Sequence, residues 1–255
     1  MTAPTTALPT FVYTLRLADD LLINAQRLSE YITHAPELEE ELAVANTALD
    51  NLGVAQQLFE YAAATADDGR SADDLAFLRS EREFSNALLV EQPHRDFADV
   101  MVRQFLLDAF HGELWPALAK SNDATLAAIA AKADKEARYH VRHSAHWIVR
   151  LGDGTAESSS RAQRALDSMW RFSGELVTPD AVDEAAAAAG LGPDLTDLAA
   201  GWDRSVRAVI AEATLDVPTD PFQASGGRTG NHTEHLGHLL AEMQYMQRAY
   251  PGMKW

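Results

Sequence analysis

Lys135-Glu136-Ala137-Arg138-Tyr139-His140 lies midway along an unbroken helical pattern from about Ala124 to Leu151, bounded by Ser121-Asn122-Asp123 and Gly152-Asp153-Gly154. Ile129, Glu136, Tyr139, His140, His143 and Trp147 share one face at helical spacing. A carboxylate on the inner stripe of a helix is costly unless it is paired, hydrogen-bonded or metal-bound. The reading of this stretch therefore turns on whether other helices bring acids to the same depth.

Working outward, three more long segments have that character. About Thr10 to Thr33 carries a stripe of Val12, Leu15, Leu22 and Ile23, with Asp19 among it and Asp20 one step round. Pro36 opens a second helix running to about Ala66, where Asp67-Asp68-Gly69 stops it; Pro is tolerated in a first turn, and Glu37, Glu39, Glu40 and Glu41 suit its positive end. Asp50 there shares a face with Ala43, Asn46, Val54, Gln57 and Tyr61. About Phe97 to Lys120 is the third, with Asp108 beside Met101, Gln104, Phe105, His111 and Trp115, and with Pro116 expected to kink its end.

Shorter helices are expected within Ser71–Leu89, over Arg161–Leu176, Asp180–Ala189 and Leu195–Leu215, and from His232 to Tyr250, where Asn231 and Glu234 form a capping-box pattern. No alternating strand pattern stands out. Short connections between the long helices predict an antiparallel bundle. The expectation is an all-α four-helix bundle with additional C-terminal helices, one domain over 1–255, with 1–9 a disordered arm.

Composition narrows the function. The 255 residues include no Cys, which removes disulfides, thiolate nucleophiles and Cys-ligated zinc or iron–sulfur. A net charge of −17 argues against nucleic-acid partners. No apolar run is long enough to span a membrane. Met1–Thr10 has no basic region leading into an apolar run, so no signal peptide is read, and a cytoplasmic location is expected.

Acids on four inner stripes are the layout of di-iron carboxylate bundles, which use a Glu from each of two helices and Glu-x-x-His from the other two. The detail departs from it. The second helix reads Asp50-Asn51-Leu52-Gly53 and the fourth Glu136-Ala137-Arg138-Tyr139, so both imidazoles are missing from register. His111 follows Asp108 on the wrong helix, and His140 is one residue late, about 100° round. Asp19, Asp50, Gly53, Asp108, Glu136 and Tyr139 are therefore read as a degenerate metal site, with an adventitious metal through Asp108, His111, Glu136 and His140 as the alternative.

His140, His143 and His146 are read as bridges to neighbouring helices, and Lys135, Arg138 and Arg142 as a solvated or partner-facing stripe. Gly226-Gly227-Arg228-Thr229-Gly230 follows no strand and lacks a P-loop ending, so a flexible loop is expected. His232, His235 and His238 converge too loosely for zinc. Arg16 and Arg27 are candidates to balance the inner acids.

A set of ordered motifs resembles one known family. It comprises Tyr13–Leu17, His34–Glu39, Ala43–Gly53, Arg82–Asn86, Leu88–Pro93, Lys135–His140, Met169–Phe172, His232–Gly237 and Ala241–Tyr245. These are similar to the C subunits of the multicomponent ring-1,2-phenylacetyl-CoA epoxidases of aerobic phenylacetate breakdown, from Tyr13 to Trp255. The resemblance implies a ferritin-like, non-catalytic structural subunit with no cofactor of its own. Its partners would be a homologous A subunit holding the di-iron site, a small B subunit, and a reductase with flavin and iron–sulfur that draws on NADPH; a homodimer is possible when the chain is expressed alone. The alternative is an independent metal-dependent oxidase or hydroxylase. Leu21, Leu28, Tyr31, Leu52 and Phe59 exceed what one core stripe needs, and an exposed interface patch is expected among them.

Overall fold

The computed structural model describes residues 9–253 and consists of helices and connecting turns. Four long helices dominate: α1 (Pro9–Ser29), α2 (Leu38–Ala66), α4 (Phe97–Leu118) and α5 (Ala124–Gly152). Between α2 and α4 lie a short α3 (Ala72–Phe77) and a single 3₁₀ turn at Glu81–Glu83. The C-terminal part contributes α6 (Ala156–Trp170), α7 (Gly174–Val177), α8 (Ala181–Ala188), α9 (Leu195–Glu212), α10 (Glu234–Met243) and α11 (Tyr245–Ala249). The chain is all-α, as the periodicity predicts.

Side-chain caps start most of these helices. Asp96 accepts from the amides of Ala98 and Asp99, Asp123 from Thr125 and Leu126, and Asp180 from Val182 and Asp183. α2 ends at Asp67 with φ 48°, a left-handed conformation that Asp tolerates. Pro116 falls in the last turn of α4, where the missing N–H costs little further structure.

α1 packs along α2, α4 along α5, and α2 lies beside α5. This is the ferritin-like arrangement. α6 and α9 cover α4, and α8 and α10 lie against α1. Trp202 of α9 donates to the Leu106 carbonyl at 3.0 Å and packs its ring 5.9 Å from Trp170. As a result α1 and α4 are buried on nearly every face.

Several boundaries differ from the expectation, each for a local reason. The expected arm lies outside the described residues except for Pro9, which begins α1. α1 stops at Ser29, because turns with Thr33 at φ 81° follow it. α2 begins at Leu38, leaving Pro36 in the preceding turn. Residues 84–92 run as a buried loop whose amides bond to acids of other segments. The Asn231–Glu234 box does not form: Thr233 is the N-cap residue, and its hydroxyl donates instead to Glu91. Among the described residues, no helix is long and apolar enough to cross a membrane.

Candidate functional site

The space between the long helices is occupied by a chain of amides ending on a carboxylate. Asn24 of α1 donates to Gln104 of α4 at 3.0 Å, and Gln104 donates to Asp108 Oδ1 at 2.6 Å. All three are buried. Burial pushes the Asp108 carboxyl up to about 6, against the pull of His140 and the Gln104 hydrogen bond. Among the described residues Asp108 Oδ2, Asn24 Oδ1 and Asn51 Nδ2 have no hydrogen-bond partner. Buried polar atoms of this kind are commonly satisfied by internal water. His111, one turn on, is held neutral, its pKa lowered to about 3 chiefly by burial.

Asp50 and Glu136 lie further out, on the half-buried edge where α2 meets α5. His140 reaches across to Asp50 at 3.0 Å, and His143 to Glu40 at 2.9 Å, so these two of the three histidines bridge α5 to α2. Trp147 donates to the same Glu40 oxygen at 2.7 Å. Glu136 is raised by partial burial and then by the Asp50 charge. Tyr139 is exposed, and a Cβ built on Gly53 would meet nothing within 4 Å. The two positions that lack imidazoles therefore face outward, not into the bundle.

Asp19 is fully buried but serves another contact. It forms a bidentate ion pair with Arg79 and accepts from the Ser85 amide at 2.9 Å. The structure thus divides the six degenerate-site positions: Asp108 faces the interior, Asp19 the 79–92 segment, and Asp50, Gly53, Glu136 and Tyr139 the α2–α5 edge. Among the described residues no group of three or more His, Asp or Glu side chains converges as metal ligands. The adventitious set of Asp108, His111, Glu136 and His140 is likewise not assembled.

Around α1 the ionic residues lace distant segments together. Asp20 pairs with Arg228 at 2.8 Å and accepts from the Ala87 amide at 2.7 Å. Arg16 pairs with Asp180 at 2.7 Å and Asp183 at 2.9 Å. Arg27 pairs with Glu30 and donates to the carbonyls of Glu91 and His235. Arg16 and Arg27 therefore balance acids and carbonyls other than the inner-stripe acids; Arg79 and Arg228 serve Asp19 and Asp20. Glu91 accepts from His232 at 2.8 Å and from the Thr233 amide at 2.7 Å. Burial opposes the His232 cation, and the Glu91 and Phe84 acceptors outweigh it, so its pKa is raised.

The glycine-rich stretch is a structural brace, not a flexible loop. A Cβ on Gly227 would collide with the Asn86 carbonyl, so only glycine lets Arg228 approach Asp20 here. Glu175 clamps the turn by accepting from Gly226 and Leu88, each at 2.8 Å.

Residues 2–255 match the sequence family described as phenylacetic acid catabolic protein. The chain belongs to that family. It is 51% identical over 243 residues to the C subunit of 1,2-phenylacetyl-CoA epoxidase from Escherichia coli (strain K12), covering 95% of this chain and 98% of that protein. In this family member the interior is built from Asn24, Gln104 and Asp108. Gln104 is visible in sequence on the Asp108 stripe, but as a neighbour and not as a partner. Asn24 and Asn51 carry no charge to draw attention, and only their apolar surroundings could have revealed them.

The expected interface residues also divide. Leu21, Leu28, Tyr31 and Phe59 are buried in the core and offer no exposed patch. The excess apolar faces of α1 are covered by the 84–92 loop and by α8 and α10. Leu52 alone of the five is exposed, at 40%.

Proposed function

We propose that this chain is the non-catalytic, structural C subunit of a phenylacetyl-CoA 1,2-epoxidase in aerobic phenylacetate degradation. It acts in the cytoplasm as one ferritin-like unit. It supports a homologous A subunit that holds the di-iron site, alongside a small B subunit and a flavin and iron–sulfur reductase supplied by NADPH. The relative's name as a subunit supports an assembly. The observation that carries the non-catalytic part is the Asn24–Gln104–Asp108 chain. Asn24 and Gln104 fill the space beside Asp108 with neutral amides, and an amide is a poor exchange for the carboxylate or imidazole donors that a di-iron centre uses.

The chain would then contribute shape and rigidity. Buried pairs such as Asp19–Arg79 and Asp20–Arg228 tie the C-terminal segments to α1 and fix the outer surface that a partner meets.

The test is reconstitution. The purified chain with reductase, NADPH and phenylacetyl-CoA should give no epoxide and hold no stoichiometric iron. Adding the A subunit should form a stable complex and give turnover. Epoxide formation by the chain alone, a full two-iron complement, or failure to associate with the A subunit would overturn the reading.

A further inference from the structure

α2 carries a second apolar row on its solvent side. Leu38, Leu42, Ala45, Leu49 and Leu52 recur at alternating spacings of four and three residues, the seam pattern of paired helices. Leu38, Leu42 and Leu49 are 70%, 56% and 64% exposed. The row runs roughly 21 Å along the helix. At its C-terminal end Leu52 borders a pocket of about 200 Å³, lined with it by Leu22, Phe59, Ala76 and Phe77. Contiguous exposed leucines with an adjoining pocket are the anatomy of a protein interface whose anchor side chain enters the pocket.

Charge selects the occupant. α2 contains Glu39, Glu40, Glu41, Asp50 and Glu60 and no Lys or Arg. Glu40 is engaged by His143 and Trp147, and Glu41 by the Thr33 and Ala35 amides. Glu37 and Glu39 stay exposed beside Leu38 and Leu42. A second copy laid parallel along the same seam would set Glu37 and Glu39 against their own counterparts, at a cost to pairing.

We infer that the α2 seam docks an amphipathic helix of a different subunit. That helix carries a matching apolar row, a large apolar anchor for the Leu52 pocket, and Lys or Arg opposite Glu37 and Glu39. The inference rests on the function proposed above, and the A subunit supplies the helix.

The experiment measures binding of the co-expressed A subunit to four forms of the full chain. They are the wild type, Leu42→Glu/Leu49→Glu, Leu52→Glu, and Phe222→Glu in the exposed 217–226 segment. The altered leucines are exposed, so helicity and Tm should stay near wild type, and circular dichroism checks this. The two seam variants should bind at least about 30-fold more weakly, and Phe222→Glu should bind like the wild type. A fifth form, Glu37→Lys/Glu39→Lys, should also bind more weakly than the wild type. Wild-type binding with undiminished binding by folded seam variants would place the interface elsewhere and leave the proposed function standing. No binding by the wild type would overturn both. An isolated chain that is a dimer, made monomeric by the seam variants, would assign the seam to a second copy and overturn the inference.

Discussion

Gln104 Nε2 donates a 2.6 Å hydrogen bond to Asp108 Oδ1 one turn further along α4, so a carboxylate buried between the long helices is held by an amide. The other Asp108 oxygen has no hydrogen-bond partner among the described residues. Burial makes this carboxylate expensive to ionise, and against the pull of His140 and the Gln104 hydrogen bond its pKa rises to about 6 from an ordinary 3.8.

The sign of its effect on stability follows. Between pH 3.8 and 6 the folded chain holds a proton on Asp108 that the unfolded chain has released. Stability therefore falls as pH rises through that window, by up to about 3 kcal/mol for this group. Asp108→Asn keeps the bond from Gln104 through its carbonyl and does not ionise. The Tm of the variant relative to wild type should rise between pH 4 and pH 7. A difference that stays flat with pH would show that Asp108 is not burdened by burial.

His111 works in the opposite direction. It is buried, its ring lies 5.2 Å from that of Trp115, and its pKa is lowered from 6.5 to about 3. Below pH 6.5 the unfolded chain takes up a proton that the folded chain refuses. The stability present above pH 6.5 is lost on acidification, at about 1.4 kcal/mol per pH unit for one such group. His111→Phe suits the aromatic surroundings and removes the titration. Urea unfolding at pH 7 and pH 5 should show the variant losing about 2 kcal/mol less than wild type over that interval. Equal losses would mean that His111 stays accessible to protons.

The Asp20–Arg228 pair should dominate over any surface pair. Both side chains are buried, and removing one leaves an uncompensated charge, a loss of about 3–5 kcal/mol. Arg138 pairs with Asp134 at the surface of α5, where water and salt screen the contact and little stability depends on it. Arg228→Met should lower Tm strongly and Arg138→Met hardly at all. Similar small effects from both would mean that the 226–230 brace is not part of the cooperative fold.

These contrasts also mark what was legible in the sequence. The long helices were, because Val12, Leu15, Leu22 and Ile23 repeat at helical spacing whatever lies around them. The rotation of those helices was not. α1 is covered on nearly all sides, so its acids point at different neighbours: Asp19 at Arg79 and Asp20 at Arg228. Leu21 and Leu28 exceed one stripe for the same reason. The covering segments are far along the chain, and their register on α1 is set by pairings such as Asp20 with Arg228 that no local pattern encodes. Asp50 and Glu136 fall on inner stripes by spacing alone, yet they sit at the half-buried α2–α5 edge. An error of one residue in helical phase, about 100°, is enough to move a side chain that far.

Two glycines on long helices test the packing from opposite sides. Gly53 lies inside α2 with open space where a Cβ would go. Alanine removes the entropic weakness of a helical glycine, so Gly53→Ala should stabilise the chain by about 0.5–1 kcal/mol. Gly152 ends α5 against the turn after α9, where a Cβ would collide with the Ala213 carbonyl and approach Leu215 at 3.0 Å. Backbone there cannot withdraw as a flexible side chain would. Gly152→Ala should destabilise by about 1–3 kcal/mol, the range for overpacking a filled site. Urea unfolding of both variants gives the two shifts directly. Opposite signs are expected; a stabilised Gly152→Ala would mean that α5 and the segment after α9 are not in close contact.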